Sequence, residues 1–354
     1  MDIRKSALEL SNQERHDFLK ALIMLKNTEA FVGADYSLYD QFVALHLAVM
    51  EVSYPENQES INGGHWNIGF CPWHREYLRR FELALQQMVP GVTLPYWDWA
   101  KNRAIMKELF HDDFMGKLTH AQQLSGRRWW PKDLDSGFFR HSMPLSEAPD
   151  WWPEQALGWR IPRPLQSVRY PSSYPNAGRL NATLHRGFLE GLSWPPDEAD
   201  LDELVHLHVS GTGYHHFWYF WYRLEQGSNM HNTAHNLIGG HMSTGASPND
   251  PIFWLHHANV DRLWALWQSH QIKDHGGNLI NHYPQQGDLA PWSDKPAPRG
   301  HYLDDLMWPW LGQATSSAVN EDIKTMLPDY SQEAPRRVRD VLDIEALGYR
   351  YQLN

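Results

Sequence analysis

Histidine spacing carries the chemical signal in this chain. His231 and His235 stand four apart within NMHNTAHNLIGGHMSTGASPNDPIFWLHHANVDRLWALWQSH, residues 229–270. On a helix that spacing points both imidazoles off one face. A turn-rich segment follows, with Gly239, Gly240, Gly245, Pro248, Asn249, Asp250 and Pro251, and then His256 and His257 open an apolar, Trp-rich run. Two histidines from one helix and one from the next can converge on a single ion. Three imidazoles without thiolate or carboxylate suit zinc, copper, iron or nickel. The N-terminal half supplies a second set: His46 on an apolar helical face, and His65 and His74 in GHWNIGFCPWHREYLRRFELALQQM. The candidate ligands are His46, His65 and His74 for one ion, and His231, His235 and His257 for the other.

A lone histidine on an apolar face is usually a satisfied core residue, so His46 means little by itself. Six such histidines in a Trp-rich interior are another matter. A buried imidazole must be desolvated and hydrogen-bonded, which makes histidine costly as core filler. Hydrolytic two-metal sites usually bridge their ions with a carboxylate or water. An all-imidazole, carboxylate-free set is different. Neutral ligands leave the charge of the pair uncompensated, which favours reduced, redox-active copper able to pass two electrons to O₂. A dizinc hydrolase is weighed well below dicopper.

The elements that must position these residues read as helices. Residues 11–27 are expected to be helical, with Ser11 and Glu14 at capping-box spacing and Phe18, Leu19, Leu22, Ile23 and Leu25 as the apolar face. A second helix is expected over about residues 36–52, a loop over 53–64, and a third helix from His74 to about Met88. Glu82 and Arg79 lie among its apolar positions as a candidate buried ion pair, with at least one of Arg79 and Arg80 on a solvated face. Residues 101–228 are rich in Pro, Trp, Arg and Gly and weakly periodic. A structureless loop of that length does not suit a compact domain. Short helices and turns are expected there, including a helix near Ala182–Leu192. The histidines of HLHVSGTGYHHFWYFWY, residues 206–222, have no regular ligand spacing and read as neighbours of an aromatic cluster. The end of the chain reads as a short helix and an extended tail. The overall expectation is a mainly α protein, a four-helix bundle with long irregular connections and little strand. It forms one domain over residues 1–354.

Composition bounds the partners. Lys and Arg total 31 against 42 Asp and Glu, a net charge of −11 that argues against nucleic acid or an anionic membrane. A single cysteine, Cys71, excludes an intramolecular disulfide and fits a reducing compartment. The first residues lack the apolar run of a signal peptide, and no stretch reaches the ~18 apolar residues of a membrane span. The expectation is a soluble, cytoplasmic protein; export together with a partner protein stays open.

At the histidine motifs the sequence resembles the type 3 copper proteins, and most closely the bacterial tyrosinases. GHWNIGFCPWHREYLRRFELALQ is similar to the first copper motif of that family. Residues 229–268 are similar to the second, nearly position by position, and LPYWDW follows the first as in the family. Ile3-Arg4-Lys5 and Tyr349-Arg350-Tyr351 resemble paired motifs that close the core, which implies that Arg4 lies near Tyr349 or Tyr351. The resemblance implies a four-helix bundle around two copper ions, with O₂ as co-substrate. It implies His46, His65 and His74 as ligands of one copper, and His231, His235 and His257 of the other, with His256 a neighbour. It implies ortho-hydroxylation of monophenols and oxidation of ortho-diphenols. Phe253 matches the bulky residue over the first copper's entrance, and Met242 is placed with it at the substrate access. Asn232 and Glu225 resemble the pair that orients a water to take the phenol proton, although Glu225 stands closer in sequence than the family pattern. Cys71, three residues before His74, does not match the spacing that gives a thioether in fungal relatives. The expectation is a site with no C-terminal domain after Tyr351 to cover it, and a separate copper-delivery chaperone is left open. The competing readings are a diphenol or ortho-aminophenol oxidase and, in another class, an oxygen carrier of hemocyanin type.

Overall fold

The structure is a computed structural model. It describes residues 1–52, 64–101, 108–117, 123–124, 128–129, 132–133, 137–140, 145–150, 152, 158–162, 165, 185–186, 196–206, 213–227, 230–270, 282–288, 302–313 and 319–352. Helix α1 spans Asn12–Asn27, and its start is the capping box expected from Ser11 and Glu14. Helix α2 spans Leu38–Val52. Its start uses the same device: the Asp40 amide donates to Ser37 Oγ at 3.2 Å, and the Ser37 amide donates to Asp40 Oδ2 at 3.0 Å. Helix α3 spans Phe70–Met88, one turn longer at its start than the sequence suggests. Pro72 does not delay it, because a first-turn residue needs no amide hydrogen. Helices α4 (Glu198–Val205), α5 (Gly213–Trp221) and α6 (His231–Ile238) follow, and α7 spans Ile252–Ser269. Between α5 and α6 the chain winds one π-helical turn, Tyr222–Gln226.

Helix α1 packs on α2 and α3, α3 packs on α7, and α6 packs on α7. Helix α7 is buried over its whole first half, Ile252 to Asp261. A helix enclosed on nearly every side sits at the centre of a bundle. Phe81 of α3 stacks flat on Trp254 of α7, with ring centroids 3.4 Å apart. Strand content is small, as expected. Strand β1 (Asp2–Arg4) pairs in parallel with β6 (Tyr349–Tyr351), and β2 (Gln123–Leu124), β3 (Arg128–Trp129), β4 (Lys132–Asp133) and β5 (His185–Arg186) are two-residue pieces. His185 and Arg186, expected in a helix near 182–192, instead pair with Lys132 and Asp133 as strand; the rest of that expected helix lies outside the described residues. The expected loop at 53–64 also lies outside them, apart from Gly64. Among the described residues no helix is long and apolar enough to cross a membrane.

A buried charge cluster joins both ends of the described chain to α7. Arg4 donates to Glu82 through Nε (3.0 Å) and Nη2 (2.9 Å), and lies 3.6 Å above the Tyr349 ring. Arg75 Nε donates to Asp261 Oδ1 at 2.5 Å, while Tyr349 and Tyr351 hydroxyls donate to Asp261 Oδ2 at 2.7 and 2.6 Å. Arg4 thus lies against both tyrosines, as the resemblance implies. Arg79 bonds Glu82 at 3.0 Å, and Arg80 is held by Glu76 and Glu333, so neither arginine is simply solvated.

Burial would push the Asp261 carboxyl up, but Arg75, Arg4 and the two tyrosine hydroxyls outweigh it and hold it below the usual carboxylate range. Its stabilisation is therefore complete above the unfolded value of about pH 4 and disappears as pH falls below that through the folded value. Asp261→Asn, which leaves the buried Arg75 guanidinium without its carboxylate, is expected to cost about 3–5 kcal/mol. Denaturant melts at neutral and acid pH check both points: the gap between variant and wild type closes below about pH 4.

Candidate metal centre

Helices α2, α3, α6 and α7 bring together five of the six sequence-chosen histidines, and the loop before α3 brings the sixth, His65. The structure forms two groups of close-set imidazoles: His46, His65 and His74 in one, and His231, His235, His256 and His257 in the other. All seven are buried or nearly so.

Contacts at Nδ1 orient five of the six rings, while His257 Nδ1 is buried with no hydrogen-bond partner among the described residues and that ring packs between His74 and Phe253. His46 Nδ1 donates to the Gly245 carbonyl at 2.7 Å, His74 Nδ1 to Phe70 O at 2.8 Å, and His235 Nδ1 to Met242 O at 2.6 Å. His231 Nδ1 bonds Asn232 Oδ1 at 3.0 Å, and His65 Nδ1 lies 3.6 Å from Glu225 Oε1. A proton held at Nδ1 leaves Nε2 as a lone pair. The Nε2 atoms of His231, His235 and His257 stand at the corners of a triangle with sides of 3.1, 3.3 and 3.3 Å. The edge of a tetrahedron about 2.0–2.1 Å from a central ion is ~3.3 Å. His65 Nε2 and His46 Nε2 lie 3.0 Å apart, and His74 Nε2 is buried with no hydrogen-bond partner. Lone pairs aimed at one another repel unless a cation sits between them, so the donor sets fit a metal pair.

The two groups abut. The His74 and His257 rings stack at 4.3 Å, and Phe253 touches rings of both groups, His46 at 5.1 Å and His257 at 4.2 Å. Burial keeps these imidazoles neutral, with His65 and His235 lowered to about 3. A metal ligand must be deprotonated, so the sites are ready-made. His256 also lies here, both of its nitrogens buried without a partner, its ring between His231 (5.0 Å) and Trp99 (5.1 Å).

Two glycines let the backbone come close enough. A Cβ on Gly64 would stand 2.7 Å from the Trp73 ring, so only glycine lets His65 follow it there. A Cβ on Gly245 would stand 3.2 Å from Leu47, beside the helix face that carries His46.

A cavity of about 270 Å³ opens over both groups, and Trp66, Glu225, Asn232 and Met242 share its lining with His46 and His231. Phe253 is fully buried beneath it, while Met242 reaches the cavity wall. Asn232 caps no helix; its side chain belongs to His231. Glu225 is buried and lies on the π-helical turn. It accepts the Trp66 amide at 2.7 Å and the Trp221 indole, and burial raises its carboxyl to about 8. A larger cavity, about 790 Å³, lies elsewhere against the far side of α7 and holds no imidazole.

Sequence reasoning missed three parts of this site. Trp66, with φ of 58°, occupies the left-handed region at a cost of order 1–2 kcal/mol. Trp221 and the carbonyl of Gly245 were also missed. Nothing in residue type announces them, beyond the turn signal of Asn67. The other tract histidines separate: His216 is buried in α5, while His206 is exposed and bonds Asp202.

A helical bundle presenting two facing imidazole sets defines the class of binuclear metal proteins whose ligands are all nitrogen. The description "Common central domain of tyrosinase" matches residues 36–270. The tyrosinase of Streptomyces antibioticus is 32% identical over 305 residues, covering 83% of this chain and 94% of that protein. Grixazone synthase of Streptomyces griseus is 32% identical over 284 residues, covering 75% and 84%. A polyphenol oxidase from Thermothelomyces thermophila shares the fold with a TM-score of 0.60 at 18% identity, over 100% of this chain and 89% of that one. An octopus hemocyanin functional unit does so at 0.52 and 18%, over 100% and 68%. The chain belongs to the tyrosinase family. It is a tyrosinase-type oxidoreductase whose cofactor is a copper pair and whose co-substrate is O₂.

The two triads predict two metal ions per chain. His46→Ala and His257→Ala are each expected to leave one, measured by elemental analysis after copper loading and desalting. Full retention in either variant would overturn that ligand assignment.

Proposed function

We propose that this chain hydroxylates monophenols at the ortho position and oxidises ortho-diphenols to ortho-quinones. His46, His65 and His74 hold one copper, and His231, His235 and His257 hold the other. The observation that carries this reading is the convergence of neutral Nε2 lone pairs in two facing groups beneath an accessible cavity. Copper bound there supplies two-electron chemistry with O₂.

The surrounding residues do the rest. The Nδ1 contacts of five rings and the packing of His257 on His74 and Phe253 hold the imidazoles at set angles, so the site needs little rearrangement during turnover. Tight packing of Phe253 and Trp254 keeps bulk water from entering beneath the imidazoles. Glu225 and Asn232 flank the same cavity and act as the pair that orients a water toward the phenol hydroxyl. A monophenol, with a pKa near 10, must lose that proton before its oxygen can bind a metal ion. A diphenol offers a second route to the ring, so it depends less on the pair.

Oxygen uptake by the copper-loaded protein tests the reading. Uptake is expected with a monophenol, after a lag, and with the matching ortho-diphenol at once. Uptake with the diphenol alone would reduce the activity to that of a catechol oxidase. Asn232→Ala and Glu225→Gln are expected to lower monophenol turnover roughly tenfold more than diphenol turnover. Equal losses on both substrates would remove the water-orienting role.

A further inference from the structure

We infer that Trp66 is a stacking platform that selects phenols bearing a flat, uncharged substituent. The inference rests on the phenol-oxidising reading above and names its substrate class. Trp66 is 41% exposed, one of the few large aromatic side chains of the described residues left so open to solvent. It is also part of the wall of the cavity over the imidazoles. Its ring sits beside that of His65, with centroids 5.8 Å apart.

The indole is held there by its own backbone. Trp66 adopts φ of 58°, a conformation that a bulky residue takes only where its surroundings over-determine it. Three contacts do so. The Trp66 amide donates to Glu225 Oε1 at 2.7 Å, Asn67 Nδ2 donates to the His65 carbonyl at 2.7 Å, and the Gly69 amide donates to Asn67 Oδ1 at 2.7 Å. The loop is therefore braced on both sides of Trp66. Glycine would fill this position without strain. A tryptophan at a left-handed position on a cavity wall presents a large flat face with little freedom left to lose on binding.

The chemistry of the wall defines what the face would accept. The described residues lining the cavity include Trp66, Met50 and Met242, and among them there is no lysine or arginine. A carboxylate on the substrate finds no cation there. An aryl substituent projecting out of the cavity finds an indole face and two thioethers, surfaces that favour aromatic contact.

The test compares 4-phenylcatechol with catechol in copper-loaded wild type, Trp66→Gly and Trp66→Phe. Trp66→Gly removes the ring and relaxes the backbone, and it keeps the amide that Glu225 accepts. The ratio of kcat/KM for 4-phenylcatechol to that for catechol is expected to fall about tenfold in Trp66→Gly, the size of one aromatic contact. The fall should come through KM rather than kcat, and Trp66→Phe should restore most of it. A ratio that moves less than twofold in Trp66→Gly overturns the platform, and so does a fall confined to kcat. Oxygen uptake by wild type with neither diphenol would overturn the functional reading and the platform together; uptake with an unmoved ratio overturns the platform alone.

Discussion

Hydrogen bonds from Nδ1 of His46, His74 and His235 to backbone carbonyls decide where the other nitrogen of each of those rings points. His74 makes that bond to Phe70, four residues back in its own helix. His46 and His235 make theirs to carbonyls at Gly245 and Met242, in the irregular stretch between α6 and α7. That stretch is therefore as much a part of the centre as the helices are. It contains two short 3₁₀ turns, Gly240–Ser243 and Ser247–Asn249, entered through Gly239 at φ of 63°. There the Gly245 and Met242 carbonyls are turned toward imidazoles carried by α2 and α6.

Behind the imidazoles stands a second arrangement of polar groups with a different task. Arg75 follows His74 directly, and Asp261 lies one helical turn beyond His257, so their contact ties α3 to α7 just beneath the two stacked ligand rings. Arg4 and the two tyrosines complete the pairing. Buried charges are costly unless each finds a partner, and here Asp261 and Glu82 pair with Arg75 and Arg4 in the interior. The result is a fixed distance between the helices that carry His74 and His257.

Much of this was legible in the chain itself, for reasons that differ by residue. His231 and His235 announce a helical face by their spacing, and Ser11 with Glu14 announces a helix start by local chemistry alone. Arg4, Tyr349 and Tyr351 came only through family resemblance, because no local rule connects residues so far apart. The expected start of α3 at His74 falls one turn late, because the helix begins at Phe70 with Pro72 in its first turn. His185 and Arg186 form strand because Lys132 and Asp133 lie alongside, a tertiary pairing that periodicity does not report. Glu225 was in doubt on spacing, and the π-turn on which it lies leaves no mark in the pattern of apolar residues. Trp66 was invisible as a left-handed residue because its side chain argues against that conformation.

The closing of β1 on β6 bears on when the centre can be assembled. Arg4 contacts Tyr351 across a separation of 347 residues, and Asp261 across 257. Chains emerge from the ribosome at about 5–20 residues per second, so about 20–70 s separate the synthesis of Arg4 from that of Tyr351. Until residues 349–351 emerge, Asp261 lacks its two hydroxyl donors, and the spacing between α3 and α7 lacks its brace.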